Sequence, residues 1–342
     1  MSLISVIIPT LNRPALLREA IVSVMAQTLP ADEIIVVDDG SQPPVDETSL
    51  KSEYGSMVRV LRNPEPQGLA WARTRLTMAA TGKYVAHLDD DDLFAPETLA
   101  ECSALLEADP ELELVFVGVE GFGASSEYFN NVQSSGVARV IDQGGGREIE
   151  PGIVVFGKEL LGGLLKQVPS ALQHVVARRE IWERVSRLRL EAYRRVAGLA
   201  SEAEAMGLIR GPLRDSEWAL YAGVVCSKTA LNNRPRYLAR CEGQGTSSLP
   251  SNRERHMDQQ LLVKDTLYRS SSMLPAFSPW RGMIHKDLGK TFFDAAYEFH
   301  QNGKQEKAWR CWRNAVGVSF RFRHAKLALR LLLSTRVFPS SR

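Results

Sequence analysis

The stretch Lys83-Tyr-Val-Ala-His-Leu-Asp89-Asp-Asp-Asp92 decides how this chain is read. Lys83–Leu88 has the character of a buried strand, and it runs straight into four consecutive carboxylates. Adjacent carboxylates repel one another, a cost that an unliganded fold has little reason to bear. A hard divalent cation, Mn²⁺ or Mg²⁺, relieves that repulsion, because such ions take one or two carboxylates together with water and phosphate oxygens. The same run also fits a solvated acidic turn whose aspartates cap the helix that follows.

Working outward, the pattern repeats. Leu3–Pro9, Glu33–Val37 and Met57–Leu61 are short apolar runs of strand type, and Leu112–Val119 is another. Between them lie helical stretches: one opened by Pro14 with Leu17, Ile21 and Val24 on one face, then Leu69–Ala80 and Pro96–Ala108. Alternation of this kind predicts an α/β fold, a mostly parallel doubly wound sheet of Rossmann type covered on both faces. Asp38-Asp39 and Asp89–Asp92 both fall at carboxyl ends of strands, the edge at which open α/β sheets bind ligands. Asp38-Asp39-Gly40-Ser41 is equally an ordinary turn by composition. Arg73, a few residues after Gly68, has the forked geometry that suits a base or diphosphate, or it is a surface arginine. The chain has neither the Gly-x-x-x-x-Gly-Lys-Ser/Thr loop nor the Gly-x-Gly-x-x-Gly fingerprint, which argues against ATPases and nicotinamide enzymes.

Four segments in order, Ser5–Arg13, Ile34–Ser41, Gly68–Arg73 and Gly82–Asp92, resemble the family 2 glycosyltransferases of the GT-A fold. The resemblance implies inverting transfer of a sugar from a nucleotide diphosphate donor, with Mn²⁺ or Mg²⁺ as cofactor. It implies nucleotide-binding roles for Pro9, Thr10, Asn12, Arg13, Asp39, Gly68, Arg73, Asp89 and Asp90. Asp91, with Asp89, is the implied metal ligand. Thr74 and Leu76 depart from the family pattern, where Asn and Gly are common. Later, Asp215-Ser-Glu217-Trp218-Ala-Leu220 resembles the family's catalytic segment, with Glu217 as the general base, Asp215 as its rival, and Ser216 in place of the usual preceding acid. The same segment also reads as an amphipathic helix with exposed acids. Val168–Arg179 is similar to the acceptor-side strand, which puts His174, with Trp218, at the acceptor; His87 reads as packing. In Tyr237-Leu-Ala-Arg240-Cys241-Glu-Gly-Gln, Cys241 stands where the family has a histidine. A non-catalytic nucleotide-sugar or glycan-binding module and a metal-dependent nucleotidyltransferase are the competing readings.

The expected organisation is a nucleotide-sugar-binding half over 1–120, an acceptor-binding half over 121–252, and a helical extension over 253–342. Gly121–Gly152, rich in Gly, Ser and Asn, reads as a long loop, either a lid or a mobile connection. The 342 residues carry a net charge of +2, too near neutral for a whole-chain nucleic-acid binder. Residues 307–342 hold nine Lys and Arg and no Asp or Glu, which leaves −7 for residues 1–306. Within that tail, Arg323, Lys326 and Arg330 share one helical face, and Leu327, Ala328, Leu331 and Leu332 lie on the other. Residues 321–336 therefore fit either packing against the body or an anionic membrane surface, as would suit a lipid-linked acceptor. The four cysteines are scattered, as free thiols of a reducing compartment are. Met1–Pro9 lacks a signal-peptide pattern, and no run approaches the roughly 18 apolar residues of a membrane span. The location expected from these features is cytoplasmic, with the tail allowing a peripheral position on the inner face of the plasma membrane.

Overall fold

Continuous apolar runs become strands buried on both faces. In the computed structural model, which describes residues 3–208, 214–242 and 253–337, ten strands form one sheet. They are β1 (Ile4–Thr10), β2 (Glu33–Asp38), β3 (Val58–Arg62), β4 (Tyr84–His87), β5 (Leu93–Phe94), β6 (Leu114–Phe122), β7 (Arg147–Glu150), β8 (Ile153–Phe156), β9 (Val175–Arg178) and β10 (Thr229–Arg240). The order is β3-β2-β1-β4-β9-β6-β10-β8-β7, with β5 paired to β10. β1 is parallel to β2 and β4, β2 to β3, and β6 to β10. β9 lies antiparallel between β4 and β6, so those two also run the same way. The mostly parallel sheet read from the sequence is present, and the strand expected within Val168–Arg179 is β9, inserted antiparallel among parallel neighbours.

Successive side chains point to opposite faces of a strand. Ile4, Val6 and Ile8 of β1 therefore pack with Leu17 and Ile21 of α1 (Pro14–Met25), and the same core takes in Leu50 of α2 (Glu47–Tyr54). α3 (Leu69–Ala79) lies against β1 and β2, and α4 (Thr98–Ala108) adds Leu99 and Leu106 to the core. The remaining helices of this unit are α5 (Ser126–Gln143), α6 (Leu160–Lys166), α7 (Arg179–Ala197), α8 (Glu202–Leu208) and α9 (Arg214–Val225). The chain divides into two compact units: residues 1–194 with 199–245, and Arg195–Gly198 with the residues from 246 on. The described part of the second unit is helical from Arg253: α10 (Arg253–Ser270), α11 (Arg281–Gln301), α12 (Gln305–Val318) and α13 (Phe322–Val337). Segments 1–120 and 121–252 contribute strands to the same sheet.

The loop expected over Gly121–Gly152 is not one. Residues Ser126–Gln143 form the helix α5, and Arg147–Glu150 form β7. Composition misled here because small residues serve packing. Gly136, Val137 and Val140 make the buried face of α5, and a Cβ on Gly136 would lie 2.8 Å from Gln167 Nε2. Asn130 Oδ1 accepts from the Gly121 amide at 2.6 Å and ties the helix back to β6.

β10 is irregular between Asn232 and Tyr237, where its register against β6 shifts. The irregularity arches over Gly118. A Cβ there would meet the backbone carbonyls of Arg234 and Asn232, the latter at 2.7 Å. Strand irregularities of this kind re-aim side chains near sites, and the residue that follows this one is Tyr237. Gly118→Ala is expected to cost at least about 2 kcal/mol, read as a lower denaturant midpoint; an unchanged midpoint would mean that the two strands are not held in contact at Gly118.

Candidate active site

The carboxyl ends of β1, β2 and β4 meet at one edge of the sheet. Pro9 and Thr10 close β1, both buried, in register with Val37 and Asp38 of β2. Asn12 adopts φ +57°, a region Asn tolerates better than most residues. Its amide donates to Ser41 Oγ at 2.9 Å and its Oδ1 accepts from the Gln42 amide at 2.7 Å, so the turns after β1 and β2 are tied together. Asp38 is wholly inside. Burial opposes its charge, yet hydrogen bonds from Ser41, Val45 and Arg62 outweigh that and hold the carboxyl below its ordinary range. Asp39 Oδ1 accepts from Asn63 Nδ2 (2.7 Å) and the Gln67 amide (2.9 Å), and its Oδ2 accepts from the Gly68 amide (2.7 Å). Two carboxylate oxygens offer about four acceptor sites, so Asp39 clamps the loop before α3 and keeps capacity for one further donor. Gly68, at φ +93°, makes the turn into that helix.

Each carboxylate of the acidic turn has a different partner. Asp89 Oδ1 accepts from Arg73 Nη2 at 2.7 Å, while Arg73 Nε donates to His87 Nε2. Burial works against the Asp89 charge, but Arg73 beside it holds the carboxyl well below the usual carboxylate range. The His87 ring is buried and faces that guanidinium, and both effects push its pKa well down. Asp90 accepts from Thr10 Oγ1 (2.6 Å) and Arg13 Nη1 (3.2 Å). Burial, with Asp91 and Asp89 nearby, raises it to about 6 in spite of those donors. Asp91 accepts from the same Arg13 nitrogen at 2.6 Å. Asp92 accepts from the Arg240 amide at 2.7 Å, and burial followed by the field of Asp89 raises it to about 8.

Burial thus disfavours the charged form of Asp90 and Asp92, while Arg73 favours that of Asp89. Among the described residues, no three His, Cys, Asp or Glu side chains already surround a point that would hold a metal ion. Even so, the donor set fits Mn²⁺ or Mg²⁺. Asp89 and Asp91 are hard oxygen donors, and Mg²⁺ normally takes only one or two carboxylates from protein, completing its shell with water and phosphate. A cation already stands at the spot, the Arg13 guanidinium against Asp90 and Asp91.

Tyr237, which sequence reasoning placed only within a late segment, is the residue that pins the turn. Its Oη accepts from the Asp89 amide at 3.1 Å. Its ring stacks on His174, centroids 3.7 Å apart and planes 21° apart. His174 is buried, 3.3 Å from Ser170 Oγ through Nε2, and burial lowers its pKa to about 4. Arg240 adds a second tie: its Nε donates to the Asp91 carbonyl at 2.9 Å. Cys241, next along, is half-buried, and burial and then Asp92 push its thiol pKa up. Gly243 and Gln244 lie outside the described residues.

Glu217 and Trp218 are placed differently from the exposed helix face that composition allowed. Glu217 is 1% exposed, and its Oε1 accepts from Tyr193 Oη of α7 at 2.6 Å. Trp218 is 6% exposed and packs on Trp182 at 4.2 Å, while Trp182 Nε1 donates to the Val85 carbonyl on β4. An indole so enclosed has no free face for an acceptor. Asp215 lies in the first turn of α9, and its side chain is outside the described part. Removing the Tyr237 hydroxyl while keeping the ring isolates the pin: in Tyr237→Phe, the Asp89 amide is expected to exchange with solvent about tenfold faster. Unchanged protection would show that another group holds the turn.

Residues 5–153 match the family model described as "Glycosyl transferase family 2". Among curated relatives, an uncharacterized glycosyltransferase of Haemophilus influenzae is 32% identical over 114 residues, 33% of this chain and 38% of that protein. The Escherichia coli UDP-Glc:alpha-D-GlcNAc-diphosphoundecaprenol beta-1,3-glucosyltransferase WfgD is 34% identical over 99 residues, 28% of this chain and 38% of that one. The chain thus spans well under half the length of these relatives. Similar solved structures are S. aureus TarS 1–349 in complex with UDP-GlcNAc, with TM-score 0.57 at 15% identity over 95% of this chain and 83% of that one, and the mannosyltransferase PcManGT from Pyrobaculum calidifontis in complex with GDP-Man and Mn2+, with TM-score 0.52 at 18% identity over 98% and 81%. At such identities the likeness speaks for the fold, and that fold is GT-A. The likeness to glycosyl transferase family 2 is thus carried by residues 5–153, the segment that holds Asp39, Arg73 and the acidic turn.

Proposed function

We propose that this chain is an inverting glycosyltransferase that moves a sugar from a nucleotide diphosphate donor to an acceptor hydroxyl, in the assembly of a bacterial surface polysaccharide or glycolipid. One observation carries the reading: Asp39, Arg73 and the acidic turn converge on one sheet edge inside the segment that matches the family. WfgD, named for a diphosphoundecaprenol-linked substrate, supports a lipid-linked or glycan acceptor. The donor's base would lie against Pro9 and Thr10 and take the remaining acceptor site of Asp39. Arg73 would hold Asp89 in place, and Gly68 would let backbone approach the nucleotide. Asn12 keeps the turns around the base together. Mn²⁺ or Mg²⁺, held by Asp91 with Asp89, would supply positive charge to the departing diphosphate.

An acceptor hydroxyl is a weak nucleophile at neutral pH, so a carboxylate must take its proton as the new bond forms. One base on one face gives inversion at the anomeric carbon. We assign the base to Asp215. Supporting this over Glu217 is the burial of Glu217 against Tyr193, which suits a residue that fixes α9 to α7. Trp218 and Trp182 then serve as packing beneath the site, and His174 as the support of Tyr237.

Two measurements test the reading. A thermal-shift screen of UDP-glucose, UDP-GlcNAc and GDP-mannose with Mn²⁺ should find at least one donor that stabilises the protein by mass action, and Asp91→Ala should abolish the shift. In a transfer assay, Asp215→Asn should lower kcat by about a hundredfold or more, and Glu217→Gln should chiefly lower the melting temperature. Full activity in both variants would refute a base on α9, and donor binding without transfer to any glycan or lipid-linked acceptor would identify a binding module instead.

A further inference from the structure

The last helix of the second unit presents a face for which the proposed chemistry has no use. On its inner side Leu327 and Leu331 are buried, within a cluster that includes Ala295 and Phe299 of α11 and Ala308 and Cys311 of α12. Those two leucines belong to the apolar face that the sequence offered to a bilayer, so packing within the second unit takes that face. A different apolar surface is left outside. At about 100° per residue, Phe322, Ala325, Leu329 and Leu332 fall within an arc of about 80° on the far side of α13. Phe322 is 74% exposed, Leu329 58% and Leu332 53%, and Phe320, just before the helix, is 64% exposed.

Cations border this arc. Lys326, Arg330 and Arg323 follow one another along its flank, all exposed. Lys326 Nζ lies 5.3 Å from the centre of the Phe322 ring, and the Arg330 guanidinium 5.8 Å from that of Tyr297, itself partly exposed. The absence of any Asp or Glu from 307–342 leaves this charge uncompensated within the segment. Exposed aromatic and aliphatic side chains beside a row of Lys and Arg match the two layers of a membrane surface: apolar groups enter the headgroup–acyl boundary while the cations meet anionic headgroups. A second copy would set like charges face to face. No helix among the described residues is long and apolar enough to cross a membrane, so the contact would be with the surface.

We propose that Phe320 and the outer face of α13, formed by Phe322, Ala325, Leu329 and Leu332 with Lys326 and Arg330, dock the protein on an anionic lipid surface. The proposal stands apart from the chemistry assigned above. Full-length protein should co-sediment with vesicles of phosphatidylglycerol and phosphatidylcholine, but not with phosphatidylcholine alone, and added salt should weaken the binding. The double variant Phe322→Ser, Leu329→Ser should bind at least about tenfold more weakly, with an unchanged melting temperature because both side chains lie outside the core. In Phe322→Trp, the indole emission should shift to the blue on addition of the anionic vesicles. Failure of the full chain to sediment, equal binding by the double variant, or a dimer in light scattering that the same two substitutions dissolve would overturn it. Donor-binding and transfer assays on the double variant report on the active site separately.

Discussion

Four consecutive carboxylates at the end of one buried strand impose the constraint around which this molecule is arranged. No backbone turn can keep Asp89–Asp92 all ionised and half-buried without positive charge or hydrogen-bond donors on several sides. The fold brings five such partners from four places. Arg73 comes from α3, Thr10 from the end of β1, Arg13 from the turn after it, and Tyr237 and the Arg240 amide from β10. Two carboxyls still stay raised, Asp90 to about 6 and Asp92 to about 8. Burial is the first cause of both shifts, so two carboxylates of the turn are disfavoured as anions on the edge where parallel strands end.

That constraint also explains the second layer. Arg73 is held by His87 as well as Asp89, and its burial requires that His87 stay neutral to accept its hydrogen bond. Tyr237 is held by the His174 stack, and it resumes the pairing of β10 with β6 just after the register shift over Gly118. A glycine in β6, an irregularity in β10 and a histidine after a short helical turn thus act on the same four residues.

How much of this the sequence disclosed follows from what is local. Strands β1 to β4, the helices α1 and α3 and both acidic turns are local patterns and were legible, whereas the short α2 was not. The partners of the acidic turn were not, because Tyr237 lies 148 positions from Asp89 and nothing in Tyr237-Leu-Ala-Arg240 shows which side chain faces the turn. β9 lies within the segment Val168–Arg179 read as a strand, but its antiparallel place between β4 and β6 was hidden, because a strand so inserted has the same apolar composition as its parallel neighbours. The helix α5 was mistaken for loop because Gly136 and neighbouring polar residues serve close packing, which composition cannot distinguish from disorder. Glu217 was read as an accessible acid since spacing along a helix does not say which face the rest of the protein covers. On α13 the leucines that periodicity gathers into one stripe are divided by the fold between the core and the surface.

The central claim is that the acidic turn gathers a divalent cation and a nucleotide diphosphate sugar at one place, with Asp91 as a ligand. The most direct measurement is a titration of Mn²⁺ followed by electron paramagnetic resonance, in the presence of the donor that stabilises the protein best. Loss of the free Mn²⁺ signal in proportion to protein, abolished by Asp91→Ala, is the expected result. A free signal untouched by the protein, or lost equally with Asp91→Ala, would contradict the account.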